Sequence, residues 1–210
     1  MNFLTPTFAA FLLAAVALAI TPGPGIAYVV ARTVAGGRRE GLASCGGTGI
    51  GGLAHVLAAA LGLSALVAQS ATAFAIVKYA GAAYLIYLGI RALRNGETPL
   101  ATATRSASGA VRAFSEGVLV EILNVKTAIF FLAFIPQFVD PTQSIGQQFI
   151  VLGSICVLLN TAVDVLAVLF AARLLTDRRL MQVRARLLQR LSGFTMLGLG
   201  AYVVLARNEH

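Results

Sequence analysis

Apolar residues are gathered along this chain into six blocks, at about 6–31, 42–67, 71–91, 114–138, 146–172 and 191–206. The first five reach the roughly 20 residues a helix needs to cross a bilayer; the sixth is shorter. Polar residues fall between the blocks. The longest polar stretch, ALRNGETPLATATRSASGAVRA at 92–113, is small-residue and breaker-rich. It divides the blocks three and three, giving halves of about 1–93 and 112–210 joined by a basic linker at 94–111. The pattern predicts an all-α integral membrane protein with six transmembrane helices. Three spans per half send the second half through the membrane in the opposite sense to the first. Two halves of one fold would therefore form an inverted repeat, an arrangement common in secondary transporters with a site near the midplane.

Charge supports this count. Thirteen Arg fall in the loops after spans one, three and five (Arg32, Arg38 and Arg39 after the first), against Arg207 alone on the other side. Basic loops face the cytoplasm, so both termini are expected outside it. Only 11% of residues are charged, against about 25% in a soluble domain. The net charge of +8 is thus a topology signal and not a nucleic-acid footprint. Lys78 and Lys126 lie within spans; Lys78, near a span end beside Tyr79, is expected to snorkel.

The first span is interrupted. Thr5-Pro6 opens it with an N-cap and a first-turn proline, and Thr21-Pro22 repeats that signature inside it. The stretch TPGPG (Thr21, Pro22, Gly23, Pro24, Gly25) removes two N–H donors, which frees the carbonyls of Leu18 and Ile20. Irregular backbone at membrane depth survives only in protein or beside a wet cavity. A half-helix starting there turns its positive end into that cavity, where a carboxylate is a natural guest. A proline kink serving packing alone is the competing reading.

The fourth span, FSEGVLVEILNVKTAIFFLAFIPQF, carries Glu121, Asn124 and Lys126 at depth, and charge inside a membrane defaults to function. Glu116, nearer the cytoplasmic end, reads as an interface residue. Glu121 and Lys126 are five apart and do not share a helix face. Asp164 in span five is the natural partner for Lys126, and a purely structural ion pair is the competing reading. His55, mid-span in GGLAHVLAAALGL, is either bonded to a neighbouring helix or a proton relay.

Several patterns carry no chemistry. GTGIGG (Gly47–Gly52) fits a dinucleotide fingerprint but follows no strand; Ala43, Gly47 and Gly51 read as a small-residue packing face, which would also allow a homodimer. Cys45 and Cys156 lie in apolar runs without paired spacing and read as buried small residues. No nucleophile–base, zinc-protease or paired-cysteine motif is present, so neither an enzyme nor a cofactor is expected.

Taken together, TPGPG, the Gly-rich second span, YAGAAYLIYLGIRALR (79–94) and ILNVKTAIFFLAFIPQFV (122–139) resemble the LysE/RhtB family of amino-acid exporters, over nearly the whole chain and in order. The resemblance implies a bacterial inner-membrane protein that exports amino acids, driven by the proton gradient. One departure is that the family's Asn-Pro-Lys is here Asn124-Val125-Lys126, without the proline that would break span four. On this reading the substrate carboxylate meets Gly23 and Gly25 or Lys126. Its ammonium meets freed carbonyls, Glu121 or Asp164, and one of those acids carries the proton. A small neutral amino acid is the leading substrate. The alternatives are a heavy-metal or other cation exporter, using Cys45, His55, Cys156 and Asp164, and a non-transporting membrane subunit.

Overall fold

A computed structural model describes residues 6–69, 107–140 and 142–174 continuously, with scattered helical positions within 72–94 and 190–204. Most of spans three and six, Thr5, Lys78 and most of the 94–111 linker lie outside the described residues. Among the described residues the secondary structure is helical and no strand occurs. Among the described residues, two helices are long and apolar enough to cross a membrane, or three if one bent pair counts as a single span.

Helix α1 covers Pro6–Ile20 and α2 covers Pro24–Gln69. Phe11, Ala15 and Leu18, spaced by four and three, form the buried face of α1, while Leu13, Val16 and Ile20 point outward. Outward apolar side chains are what lipid requires of a span. The first two blocks are not joined by a loop. Gly37, at φ 72° and ψ −171°, turns the chain within α2, in a region open essentially to glycine alone. Arg32 then reaches Glu40 and Gly41 sits against Thr33, so the chain doubles back on itself.

Helix α3 (Ala110–Ile122) is followed after a two-residue break by α4 (Val125–Ile129). α4 runs on through a π-helical turn, Phe130–Phe134, and a 3-10 turn, Ile135–Phe138. Pro136 has no N–H to continue the helix, and the Gln137 amide takes up the Ala133 carbonyl. Helix α5 spans Ile145–Leu174.

α2 packs on both α3 and α5. Its small-residue face lies against α3: a Cβ on Gly51 would stand 2.8 Å from the Val118 carbonyl, and one on Gly117 would stand 2.8 Å from that of Ser44. Close backbone approach of this kind is how helices adhere where lipid removes the hydrophobic drive. The glycine face expected to allow a homodimer is therefore used within the chain. At the end of the molecule where α1 begins, Phe130, Phe134, Phe138 and Phe11 form an aromatic stack, with successive ring centroids 4.7, 4.8 and 5.5 Å apart.

Candidate functional site

Two helix breaks meet at one point. The first lies at 21–23, where TPGPG ends α1 and starts α2. Thr21 closes the end of α1 by donating its hydroxyl to the Ala17 carbonyl at 2.7 Å. The second break lies at Leu123 and Asn124 and needs no proline. Asn124 leaves the helical region and accepts from the Lys126 N–H at 3.2 Å, capping α4. The two segments, Ala110–Ile122 and Val125–Phe138, are bent by 43°. Valine in place of the family proline therefore leaves the break intact, because the asparagine supplies the cap.

Each end of the first break faces a charge from the second. Lys126 donates its ammonium to the Thr21 carbonyl at 2.8 Å and to that of Leu18 at 3.3 Å. This puts a cation at the negative end of α1. A Cβ on Gly23 would sit 3.1 Å from the Lys126 Nζ, so any side chain there presses on the ammonium. The Glu121 carboxylate lies beside Gly25, where a Cβ would fall 2.7 Å from Oε2. An anion thus occupies the positive start of α2, the place where a substrate carboxylate was expected.

Glu121 is held on both oxygens, by the Thr127 hydroxyl at 2.6 Å and the Asn124 amide at 3.0 Å. Across the cavity, Asp164 of α5 accepts from the Thr48 hydroxyl at 3.0 Å. Among the described residues, no carboxylate lies within ion-pair distance of Lys126. The expected Lys126–Asp164 pair is absent because each group already has a nearer neutral partner.

Thr21, Gly25, Glu121, Asn124, Lys126 and Asp164 line a common cavity, together with Thr48, Thr127, Asn160 and Thr161. Its volume is about 30 Å³, room for roughly two waters. An amino acid enters only if the surrounding helices part.

The profile of LysE type translocators matches residues 16–207. The chain belongs to that family. It is a membrane translocator and not an enzyme. An uncharacterized membrane protein of Vibrio cholerae is 34% identical over 198 residues, covering 94% of this chain and 96% of that one. A homoserine/homoserine lactone efflux protein of Salmonella typhimurium is 35% identical, covering 73% of this chain and 75% of its own. A leucine efflux protein of Salmonella choleraesuis is 30% identical and covers 69% of each. No solved structure matches.

Not every predicted residue of this translocator reaches the cavity. Pro22, Gly23 and Pro24 shape the break without lining it. His55 stands behind it, with Nε2 donating to the Glu121 carbonyl at 2.8 Å and its ring against Phe131. Lys126 takes up the carbonyls of Leu18 and Thr21, and the Leu18 carbonyl also accepts from the Thr21 N–H at 3.1 Å; the Ile20 side chain points outward. Thr48, Thr127, Asn160 and Thr161 were missed. Asn160 and Thr161 stand one helical turn before Asp164, and that polar spacing in an apolar span was the available signal.

A second cluster was also missed. Arg32, read as a loop charge, is 2% exposed. It pairs with Glu116 at 2.5 Å and Glu40 at 3.6 Å, and donates to the Tyr28 hydroxyl. Glu116 is therefore the partner of a buried guanidinium and not a plain interface residue. Glu40 also accepts from the N–H groups of Ser108 and Gly109, where the chain enters α3. Cys45 and Cys156 are buried free thiols. Among the described residues, nowhere do three His, Cys, Asp or Glu side chains gather as a metal site would require.

Proposed function

We propose that this translocator exports small neutral amino acids from the cytoplasm in exchange for protons. The observation that carries the reading is the meeting of two broken helices around Lys126, Glu121 and Asp164. Lys126 and Glu121 cover the helix ends that a zwitterion would otherwise seek. An incoming amino acid would take their place, with its carboxylate turning to Lys126 and the start of α2, and its ammonium to an acid of the cavity. The relatives named for efflux of homoserine and leucine support an uncharged side chain.

The six spans form two inverted halves of about 1–93 and 112–210, with basic loops cytoplasmic and both termini outside. The Arg32 cluster then closes the cavity toward the cytoplasm, and the phenylalanine stack closes it toward the exterior. Alternating access opens one closure at a time.

The test is counterflow of labelled L-homoserine and L-leucine in proteoliposomes, with and without a pH gradient. Transport of either, accelerated by an opposing proton gradient, is expected. Movement of neither, with metal ions moved instead, would overturn the reading.

A further inference from the structure

Glu121 and Asp164 both line the cavity, and their hydrogen bonds differ in kind. The Asn124 amide is fixed in orientation, because its oxygen accepts from the Lys126 N–H. Its NH₂ group must therefore face Glu121 Oε2. A proton on that oxygen would meet a donor. The other oxygen holds the Thr127 hydroxyl at 2.6 Å. The Thr127 hydroxyl could turn to accept from Glu121, but among the described residues its own proton has no second acceptor, whereas Glu121 as an acceptor satisfies both contacts. Its backbone carbonyl is anchored as well, by His55 and by the Asn124 N–H.

Asp164 has a partner that tolerates either state. The single Thr48 hydroxyl proton lies within reach of two acceptors, Asp164 Oδ2 at 3.0 Å and the Cys45 carbonyl at 3.1 Å. When Asp164 is ionised, Thr48 donates to it. When Asp164 is protonated, its O–H donates to Thr48, and Thr48 turns its own proton to Cys45. Neither state leaves a buried polar group unpaired. Among the described residues the second Asp164 oxygen has no hydrogen bond, and the residue faces the cavity beside Asn160 and Thr161.

The charge count points the same way. One ammonium, Lys126, faces two carboxylates around the cavity. The charged groups acting on Asp164 are Glu121 and Lys126, with the Cys45 thiol on its α2 side. One negative charge remains, and a single cation neutralises it.

We propose that Asp164, steered by Thr48, is the exchange residue: its carboxylate holds either the amine of the transported molecule or the coupling proton, never both. Glu121, fixed by Asn124 and Thr127, is a positioning residue for the break. The exchange is balanced, since one ammonium leaves Asp164 as one proton arrives. The inference rests on the exporter reading and names the acid that reading leaves open.

Three variants test it in the full chain: Asp164→Asn, Asp164→Glu and Glu121→Gln. Counterflow of labelled L-leucine or L-homoserine is measured across a pH gradient. Competition is measured with the amine-free acids 4-methylpentanoate and 4-hydroxybutanoate. Asp164→Asn is expected to lose the pH response and to raise KM at least about tenfold, the scale of one charge-assisted hydrogen bond. It should also stop distinguishing the amino acid from its amine-free analogue. Asp164→Glu restores part of the pH response, which a merely structural aspartate would not do. Glu121→Gln slows transport but keeps both the pH response and the discrimination. A pH response kept by Asp164→Asn, or lost only in Glu121→Gln, overturns the proposal.

If the wild type moves neither amino acid, the exporter reading falls and thermal unfolding with 3-methylbutylamine decides this inference alone. Stabilisation that disappears in Asp164→Asn supports it. No stabilisation, or the same stabilisation in the variant, overturns it.

Discussion

The charged cluster around Arg32 and the one around Lys126 are both buried, yet they treat charge in opposite ways. At Arg32, opposite charges close on one another, with Glu116 at 2.5 Å and Glu40 at 3.6 Å. At Lys126 they are kept apart. The ammonium sits on the Leu18 and Thr21 carbonyls, Glu121 on Thr127 and Asn124, and Asp164 on Thr48. A closed buried pair resists separation, because each charge would be stranded in low dielectric. It suits a clamp. Charges partnered by neutral dipoles can change partner one hydrogen bond at a time. They suit a site that must load and unload.

The largest effect should come from removing the cation of the open cluster. Lys126→Ala strips the end of α1 and leaves two acids facing the cavity. Counterflow should fall more than about 100-fold, the equivalent of two lost charged hydrogen bonds, in protein that still purifies as a single species. Transport within a few-fold of wild type would mean that the separated charges are incidental.

Next comes the clamp. Arg32→Ala takes the buried cation from Glu116, which keeps the exposed Arg112 at 2.8 Å, and from Glu40, which keeps the Ser108 and Gly109 N–H groups; it should cost about 3 kcal/mol, read as a drop in the unfolding midpoint in detergent. Arg32→Met combined with Glu116→Leu should recover part of that stability, because the apolar pair strands no charge at 116 while Glu40 keeps only its N–H donors. If the single variant is as stable as wild type, the clamp contrast fails.

A smaller effect is expected at Asn124. Asn124→Ala removes the cap of α4 and a donor to Glu121, costing about 1 kcal/mol of stability. Asn124→Ser keeps a capping oxygen but has no amide to reach Glu121, so it should rescue stability and not transport. Equal rescue of both would show that the break, and not the Glu121 contact, is what transport needs.

The smallest effect is at Asp140, an exposed carboxylate between α4 and α5. The Thr142 hydroxyl and N–H and the Gln143 amide donate to it, and they hold its pKa below the usual value. A depressed carboxylate contributes stability above its unfolded pKa, about 3.9, and loses it as pH falls through the folded value. Asp140→Asn should flatten a slight acid-side loss in thermal midpoint and leave transport at pH 7 unchanged. A transport defect there would mean that charge matters outside both clusters.

The amino-acid sequence by itself determined that the described apolar blocks are helical, where the first one breaks, which face of α2 is glycine, and that Lys126, Glu121 and Asp164 are buried at depth; the helical passage through Gly37 that joins the first two blocks reads as a loop along the sequence. These follow from local physics: apolar length sets a span, proline and glycine end a helix, and small residues admit a neighbouring backbone. The break at Asn124 was hidden, because an asparagine cap is common and a missing proline suggested a continuous helix. Only the tertiary structure decided who partners whom. Lys126 meets a carbonyl 105 residues away, Thr48 meets Asp164 across 116, and Arg32 meets Glu116 across 84. A buried charge takes whichever partner the fold brings within hydrogen-bond reach, and no periodicity along the chain encodes that distance.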